Sequence, residues 1–356
     1  MYRFFARAVA TIAVLALLSA CSGNSGSGDA ADSNDATAKT EWRFALEEIE
    51  GSVQDTYAQE FKRRIEERSD GAIEIKIYPY GQIGTSSQLT EIAQRGGIEL
   101  VFASPGHLAD LIPEVGVFTL HFLLSEHDEV NREVLSDEKI RALFQPEYHD
   151  QDLELLDIIP EGWMIWSANK PLRTLDDLKD FRIRTMTSPI LVASYKAYGA
   201  SPTPMPYAEV YSGLQLGQLD GQVNPMFAIE EMSFYEEQDY LISARHAQFV
   251  STLAANRDWF EALPEEQREL VNEVRDELID WIDDKQIAYQ QERLEKILAA
   301  GGTEYIELDD EERQAFRDAS MSVRDIYIDQ TGDTGREILD IISRRVEEAD
   351  AGFEGR

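Results

Sequence analysis

The sequence predicts an α/β fold in two domains. Short strand-like segments alternate along the chain with amphipathic helical stretches, the pattern of a sheet covered by crossover helices. The 356 residues are enough for two domains of ordinary size. No internal repeat is visible.

The chain opens with Arg3 and Arg7 before an apolar run from Ala8 to Leu18. That run is too short to span a bilayer, so residues 1–20 read as a cleaved signal peptide. Leu18-Ser19-Ala20-Cys21 is similar to the lipobox of a bacterial lipoprotein, and Cys21 is the single cysteine of the chain. A lone cysteine in an exported protein has no internal disulfide partner, and its position suits lipid attachment, with a second acyl chain making the anchor stable. Residues 21–40 are rich in Gly, Ser, Ala and Asp without apolar periodicity, which predicts a flexible tether spanning roughly 25 Å.

Past the tether, alternation in Glu74 to Gly81 and the apolar runs Leu100 to Pro105, Leu153 to Pro160 and Trp163 to Asn169 predict four separate strands. A helical pattern extends from Pro264-Glu265-Glu266 to a Gly301-Gly302 stop, long enough to span two domains. Further helices are expected from near Asp309 and near Gly335.

The segment Phe181 to Met186 reads as a short strand whose period of two places Arg182, Arg184 and Met186 on one face. Ser188 suits an N-cap and Pro189 the first helical position, with Gly199 ending the helix. Arg184 therefore sits near a strand end facing a helix start, where ligands collect in open α/β sheets and anions are favoured. Its planar fork matches a carboxylate. On residues alone, Arg184 suits either a ligand carboxylate or a pair with one of the many surface acids.

Against 33 basic residues stand 68 acidic ones, a net charge of −35 at pH 7, which argues against nucleic acid as a partner. The acids are spread along helices, as on a solvated surface adapted to high salt; at about 1 M salt the Debye length is near 3 Å, so an anion can still enter a basic pocket. The five histidines lack metal-type pairing, and no phosphate-binding, dinucleotide or nucleophile-elbow motif is present. Residues 329–340 lack the central glycine of a calcium loop. The expectation is a protein without metal or cofactor and without a marked catalytic constellation.

The stretch from Asp176 to Met226 resembles the substrate-binding proteins of tripartite ATP-independent periplasmic (TRAP) transporters, the DctP-like family. The likeness lies in the order of Asp177-Leu178-Lys179, Arg184, Ser188-Pro189, Pro206 with Glu209-Val210-Tyr211, and Asp220-Gly221 before Asn224-Pro225. Phe61 to Gly84 is also similar to the family's first helix, second strand and following loop.

The resemblance implies a two-lobed periplasmic-binding-protein-like fold with a hinge, a ligand cleft between lobes and long C-terminal helices. Lobe I is placed at 41–161 plus 249–290 and lobe II at 162–248 plus 291–356. It implies that Arg184 anchors the ligand's carboxylate and that Asn224 contacts the ligand. Met186, on the face of Arg184, and the aromatic residues Trp163, Trp166, Tyr207 and Phe227 lie in segments similar to ligand-facing ones. Glu47 faces the same cleft from the first loop.

Many relatives carry a second Arg two residues after a glycine where this chain has Gly162-Trp163-Met164. The implied ligand is therefore a small organic acid with one carboxylate, or else a zwitterion whose cation rests on an indole face; a dicarboxylate or acidic sugar comes third. The implied partners are a TRAP membrane permease and, through the lipid anchor, the membrane. A secreted enzyme using two cleft carboxylates and a structural or sensory lipoprotein are the competing classes.

Overall fold

The computed structural model describes residues 39–354. The expectations on the signal peptide, on Cys21 and on most of the tether lie outside these residues; the predicted tether reached residue 40, whereas the first strand begins at Thr40.

A single mixed sheet organises the chain. Its strands are β1 (Thr40–Ala45), β2 (Ile73–Tyr78), β3 (Leu100–Ala103), β4 (Leu153–Ala168), β5 (Ile183–Thr185), β6 (Thr203–Pro204), β7 (Gly221–Pro225), β8 (Tyr240–Ser243), β9 (Gln248–Asn256) and β10 (Glu304–Glu307). The order is β2-β1-β3-β9-β4-β7-β5-β6, with β8 on β4 and β10 on β8. β1, β2 and β3 are mutually parallel, as are β5, β6 and β7, whereas β4 runs antiparallel to β7, β8 and β9.

The two strands expected at Leu153 to Pro160 and Trp163 to Asn169 are one continuous strand of 16 residues. Pro160 and Gly162 read as breakers, since proline cannot donate to a ladder and glycine marks turns. Here they sit at a register shift between Pro160 and Gly162, where the bulge absorbs both, and a second shift lies between Leu155 and Asp157. Along one edge of β4, β9 pairs with Leu153 to Trp163 and β8 with Trp166 to Ala168. β8 and β9 are thus nearly one strand, interrupted where Arg245 adopts a φ of 44°.

Apolar residues cover both faces of each half of the sheet. In the first half, Phe44, Leu100, Phe102 and Leu156 face the helices Val53–Arg68 and Glu265–Ala300. Ala45, Val101, Leu155 and Val250 face the helices Asp128–Leu135, Glu138–His149 and the last helical segment. In the second half, Trp166, Ile183 and Val223 pack under the helix Pro189–Ala197, and Ile165, Leu241 and Ile229 form the opposite layer. Alternation of side chains along each strand produces these faces, and strands covered on both sides read in the sequence as apolar runs.

The helices begin and end as their cap residues dictate. Ser188 accepts a hydrogen bond from Leu191 N, with Pro189 at the first position. The 36-residue helix Glu265–Ala300 starts after Pro264 and stops at Gly301. It buries Val271, Val274, Leu278 and Ile282 in the first half and Ile297 in the second. Between those anchors Gln290 Nε2 donates to the Glu161 carbonyl at 2.7 Å, and its Oε1 accepts from Met226 N at 3.0 Å. The last helical stretch, Ser322–Glu354, is interrupted at Gly332, whose φ is 67°.

Gly162 carries a φ of +110°, and a Cβ there would lie 2.1 Å from Gln290 Nε2. Gly162→Ala is expected to displace Gln290, break its bridge and cost about 1–3 kcal/mol. A chemical-denaturation midpoint unchanged from the parent would show that Gln290 does not fix this crossing.

Candidate ligand-binding cavity

The carboxyl ends of the parallel strands β1, β3, β5 and β7 converge on a small cavity of about 30 Å³. This is the end of an open sheet where ligands gather. The first half of the sheet contributes Glu47, Glu48, Ser86, Ser104, His107 and Phe249. Arg184, Met186, Tyr207, Asn224, Pro225 and Ala228 come from the second half.

Among the described residues Arg184 is the only Lys or Arg on this lining, and it is 1% exposed. Its neighbours Ile183 and Thr185 point to the opposite face of β5, so the strand period aims the guanidinium into the cavity. Nε and Nη2 both donate to the Met205 carbonyl, at 3.0 and 2.9 Å, while Nη1 has no partner. Burial pushes its pKa down to about 10, with Tyr207 and Tyr80 opposing the shift, so it stays charged at neutral pH. Asn224 lies two residues beyond Gln222 on β7, and its Nδ2 donates to Gln222 Oε1 at 2.5 Å. Gln222 donates in turn to Ser167 Oγ, and Ser167 Oγ to Gln238 Oε1. That chain orients the carboxamide from behind.

The facing wall is acidic. Glu47 Oε2 accepts from Ser104 N at 2.7 Å, but Oε1 has no partner. Burial pushes the Glu47 carboxyl up to about 8, with the hydrogen bonds from Ser104 opposing. Glu48 Oε2 accepts from Gln54 N, and Gln54 Nε2 donates to Glu161 Oε1 and Ser251 Oγ. Burial raises both carboxyls, Glu161 to about 7, and the charge of Glu161 raises Glu48 further. His107 is held neutral, pushed down to about 3 by burial and by the positive charge of Arg184.

The two walls touch. Ser188 N donates to the Gly106 carbonyl at 3.0 Å, and a Cβ on Gly106 would meet Met186 Sδ at 2.4 Å. A side chain at 106 would have to displace the thioether of Met186. Tyr80 from the first half meets Tyr207 edge to face at 5.7 Å between ring centroids.

Of the residues singled out in the sequence, Glu47, Arg184, Met186, Tyr207 and Asn224 line the cavity, and Trp163, Trp166 and Phe227 do not. Trp166 is 0% exposed, donates from Nε1 to Tyr195 Oη at 3.0 Å and packs on Tyr198, His246 and Phe316. Its register partner on β7 is Val223, whereas Asn224 pairs with Ile165, so Trp166 points to the face opposite Asn224. Trp163 packs at the margin of the second half with Arg245 5.8 Å from its ring centroid. Phe227 turns into the core of the first half, leaving its neighbours Pro225 and Ala228 on the cavity.

Glu48, Ser86, Ser104, His107 and Phe249 were missed. Ser104-Pro105 after β3 repeats the strand, serine, proline and helix signature of Ser188-Pro189, and that signal marked the second strand end.

Paired half-sheets, two shared strands and a cavity at their junction define a two-lobed solute-binding protein. The chain belongs to the DctP family, described as bacterial extracellular solute-binding protein, family 7, which it matches over residues 44–330; it is a TRAP solute-binding protein. It is 38% identical over 307 residues to the ectoine-binding periplasmic protein TeaA of Halomonas elongata, covering 86% of this chain and 89% of TeaA. It is 40% identical over 304 residues to the ectoine/5-hydroxyectoine-binding periplasmic protein UehA of Ruegeria pomeroyi, covering 84% and 88%. A high-resolution structure of the periplasmic ectoine-binding protein of the TeaABC TRAP transporter of Halomonas elongata superimposes with a TM-score of 0.84 at 37% identity, covering 86% of this chain and 99% of that one. An apo, open TRAP solute-binding protein from Marinobacter aquaeolei gives 0.82 at 47% identity, covering 85% and 100%. Among the described residues no cluster of His, Cys, Asp and Glu is placed to hold a metal ion, and no helix is long and apolar enough to cross a membrane.

Trp166→Ala is expected to cost about 3–5 kcal/mol of stability as a core truncation. Trp166→Phe should leave ligand affinity within about threefold of the parent once folding is checked, that is within roughly 0.7 kcal/mol. A much larger affinity loss in the folded Phe variant would return this indole to the ligand.

Proposed function

We propose that this protein captures a small zwitterionic solute of the ectoine type and delivers it to a TRAP permease. One observation carries the reading: a buried guanidinium and a buried carboxyl, each with an unpartnered atom, line one cavity. A buried polar atom without a partner is costly in the folded protein, so such atoms mark where a ligand's own groups belong. Arg184 Nη1 suits the solute's carboxylate, with Asn224 beside it, and Glu47 Oε1 suits a cationic N–H group. The cation is thus held by a carboxyl rather than by Trp163 or Trp166, which lie off the lining.

A plain organic acid leaves Glu47 without a partner, and a dicarboxylate brings its second charge toward Glu47 and Glu48 with no second guanidinium to receive it. The ligands named for TeaA and UehA support the same choice. Delivery follows the family's class, with closure about the shared strands β4 and β8/β9. Lipid attachment at Cys21 rests on the sequence reading and belongs to this proposal, as does the lobe division at 161/162 and 248/249, which falls where those strands cross.

Calorimetry with ectoine and with succinate tests the ligand class. Ectoine should bind, and succinate should bind at least about tenfold more weakly, a difference of roughly 1.4 kcal/mol; the reverse order would sink the zwitterion reading. Removing Arg184 leaves a buried ligand carboxylate unpaired, so Arg184→Ala should cost about 2–5 kcal/mol, or roughly 30- to 4000-fold in affinity. Arg184→Lys should also weaken binding, because an ammonium cannot form the fork. A change below about threefold in a folded Ala variant would show that Arg184 is not the anchor.

The anchor is tested separately. Cys21→Ser is expected to move the protein from the membrane to the soluble fraction, because no other cysteine can carry the lipid. Equal membrane retention of the variant would dismiss lipid attachment.

A further inference from the structure

The cavity holds more carboxyl groups than its one guanidinium can neutralise. Glu47 is the sharpest case, 6% exposed with Oε1 unpartnered and with Ser104 N as the donor to Oε2. The groups around it come from every neighbouring element. Glu48 is on its own loop, Glu161 on β4, and Tyr148 on the helix Glu138–His149. Tyr80 follows β2, His107 follows β3, and Arg184 on β5 lies across the cavity. Among the described residues no Lys or Arg makes an ion pair with Glu47. His107 is neutral and the tyrosines are held above their ordinary range, so no neighbour supplies a positive charge at its carboxyl.

A carboxylate in that setting is strongly disfavoured, because burial removes its water and Glu161 repels it. An ammonium or amidinium brought against Oε1 reverses the balance, since an opposite charge at contact favours the ionised form. Resting on the zwitterion reading above, we propose that Glu47 carries a proton in the empty cavity and releases it when the solute's cation docks, so that each capture sheds one proton. The O–H bond of Glu47 breaks, its electron pair stays on the carboxylate facing the ligand's N–H group, and the proton passes to the surrounding buffer. Glu48 and Glu161 stay linked to each other through Gln54, away from Oε1 of Glu47.

Burial pushes Glu47 to about 8, so the empty protein is protonated there at pH 6.5 and ionised by pH 9. Affinity for the solute then falls as the medium acidifies, by about tenfold per pH unit below that value.

Isothermal titration of the purified protein with ectoine, in two buffers of different ionisation heat, measures the proton directly. The expected result is about one proton released per ectoine at pH 6.5 and close to none at pH 9, with affinity about tenfold tighter at pH 7 than at pH 6. Binding with no buffer-dependent heat at pH 6.5 and a flat pH profile overturns the proposal while leaving the solute reading intact. Absence of ectoine binding at every pH removes both. In Glu47→Gln, which keeps the shape but has no proton to lose, release and pH dependence should vanish and ectoine should bind more weakly. Proton release that persists in Glu47→Gln assigns the proton to Glu48 and Glu161 and overturns the proposal; the parent titration decides the matter even where that variant does not fold.

Discussion

The structure depends on one strand that does not stop. β4 runs through Pro160, Glu161 and Gly162 where its sequence invites a break, and the Gln290 bridge to the Glu161 carbonyl and to Met226 N closes the hydrogen-bond account at the bulge. Because β8 and β9 follow β4 along the same edge, the halves of the sheet are joined by continuous backbone rather than by a linker. The carboxyl ends of both parallel sets are thereby made to face one space. A linker would leave the distance between Arg184 and Glu47 to chance, whereas strands joined by ladders confine relative motion to twisting and bending about their own length.

Within that frame the cavity is polarised by walls of opposite character. The second half presents a permanent cation braced on the Met205 carbonyl, and the first half presents carboxyls whose charge is suppressed by burial. Unpaired buried groups reduce stability, and the four apolar clusters flanking the sheet supply the surplus that tolerates them. The net charge of −35 acts over only a few ångströms at about 1 M salt, where the Debye length is near 3 Å.

The long helices, some of their caps and the strands β2, β3 and β5 were legible because each rests on local rules: Ser188 and Pro189 at a helix start, Gly301 at a stop, alternation in β2 and β5, a short apolar run in β3. Arg184 could be placed on the lining because strand period and a strand end together give direction. Trp166 could not, since alternation tells which residues share a face but not which face a helix will cover, and only the Val223 register shows that the helix Pro189–Ala197 covers it. Continuity of β4 was hidden because breaker residues are read locally and the bulge that accommodates them is tertiary. The Glu48 and Glu161 pair was invisible for another reason: Gln54, which links them, reaches across 107 positions to Glu161, and no spacing rule connects acids that far apart. The Ser104-Pro105 signature was present and went unused.

The interleaved chain has a consequence for how the protein comes into being. The apolar cluster that covers β1 includes Trp42 and Phe44 from the beginning of the described residues and Val271 to Ile282 from the helix Glu265–Ala300. The first half of the sheet therefore lacks its strand β9 and its covering helix until most of the chain is available. Contacts so distant in sequence close slowly, because loop entropy must be lost before they form. Native packing of this half is therefore completed late, once the residues of β9 and of the helix Glu265–Ala300 have closed over β1 and β3.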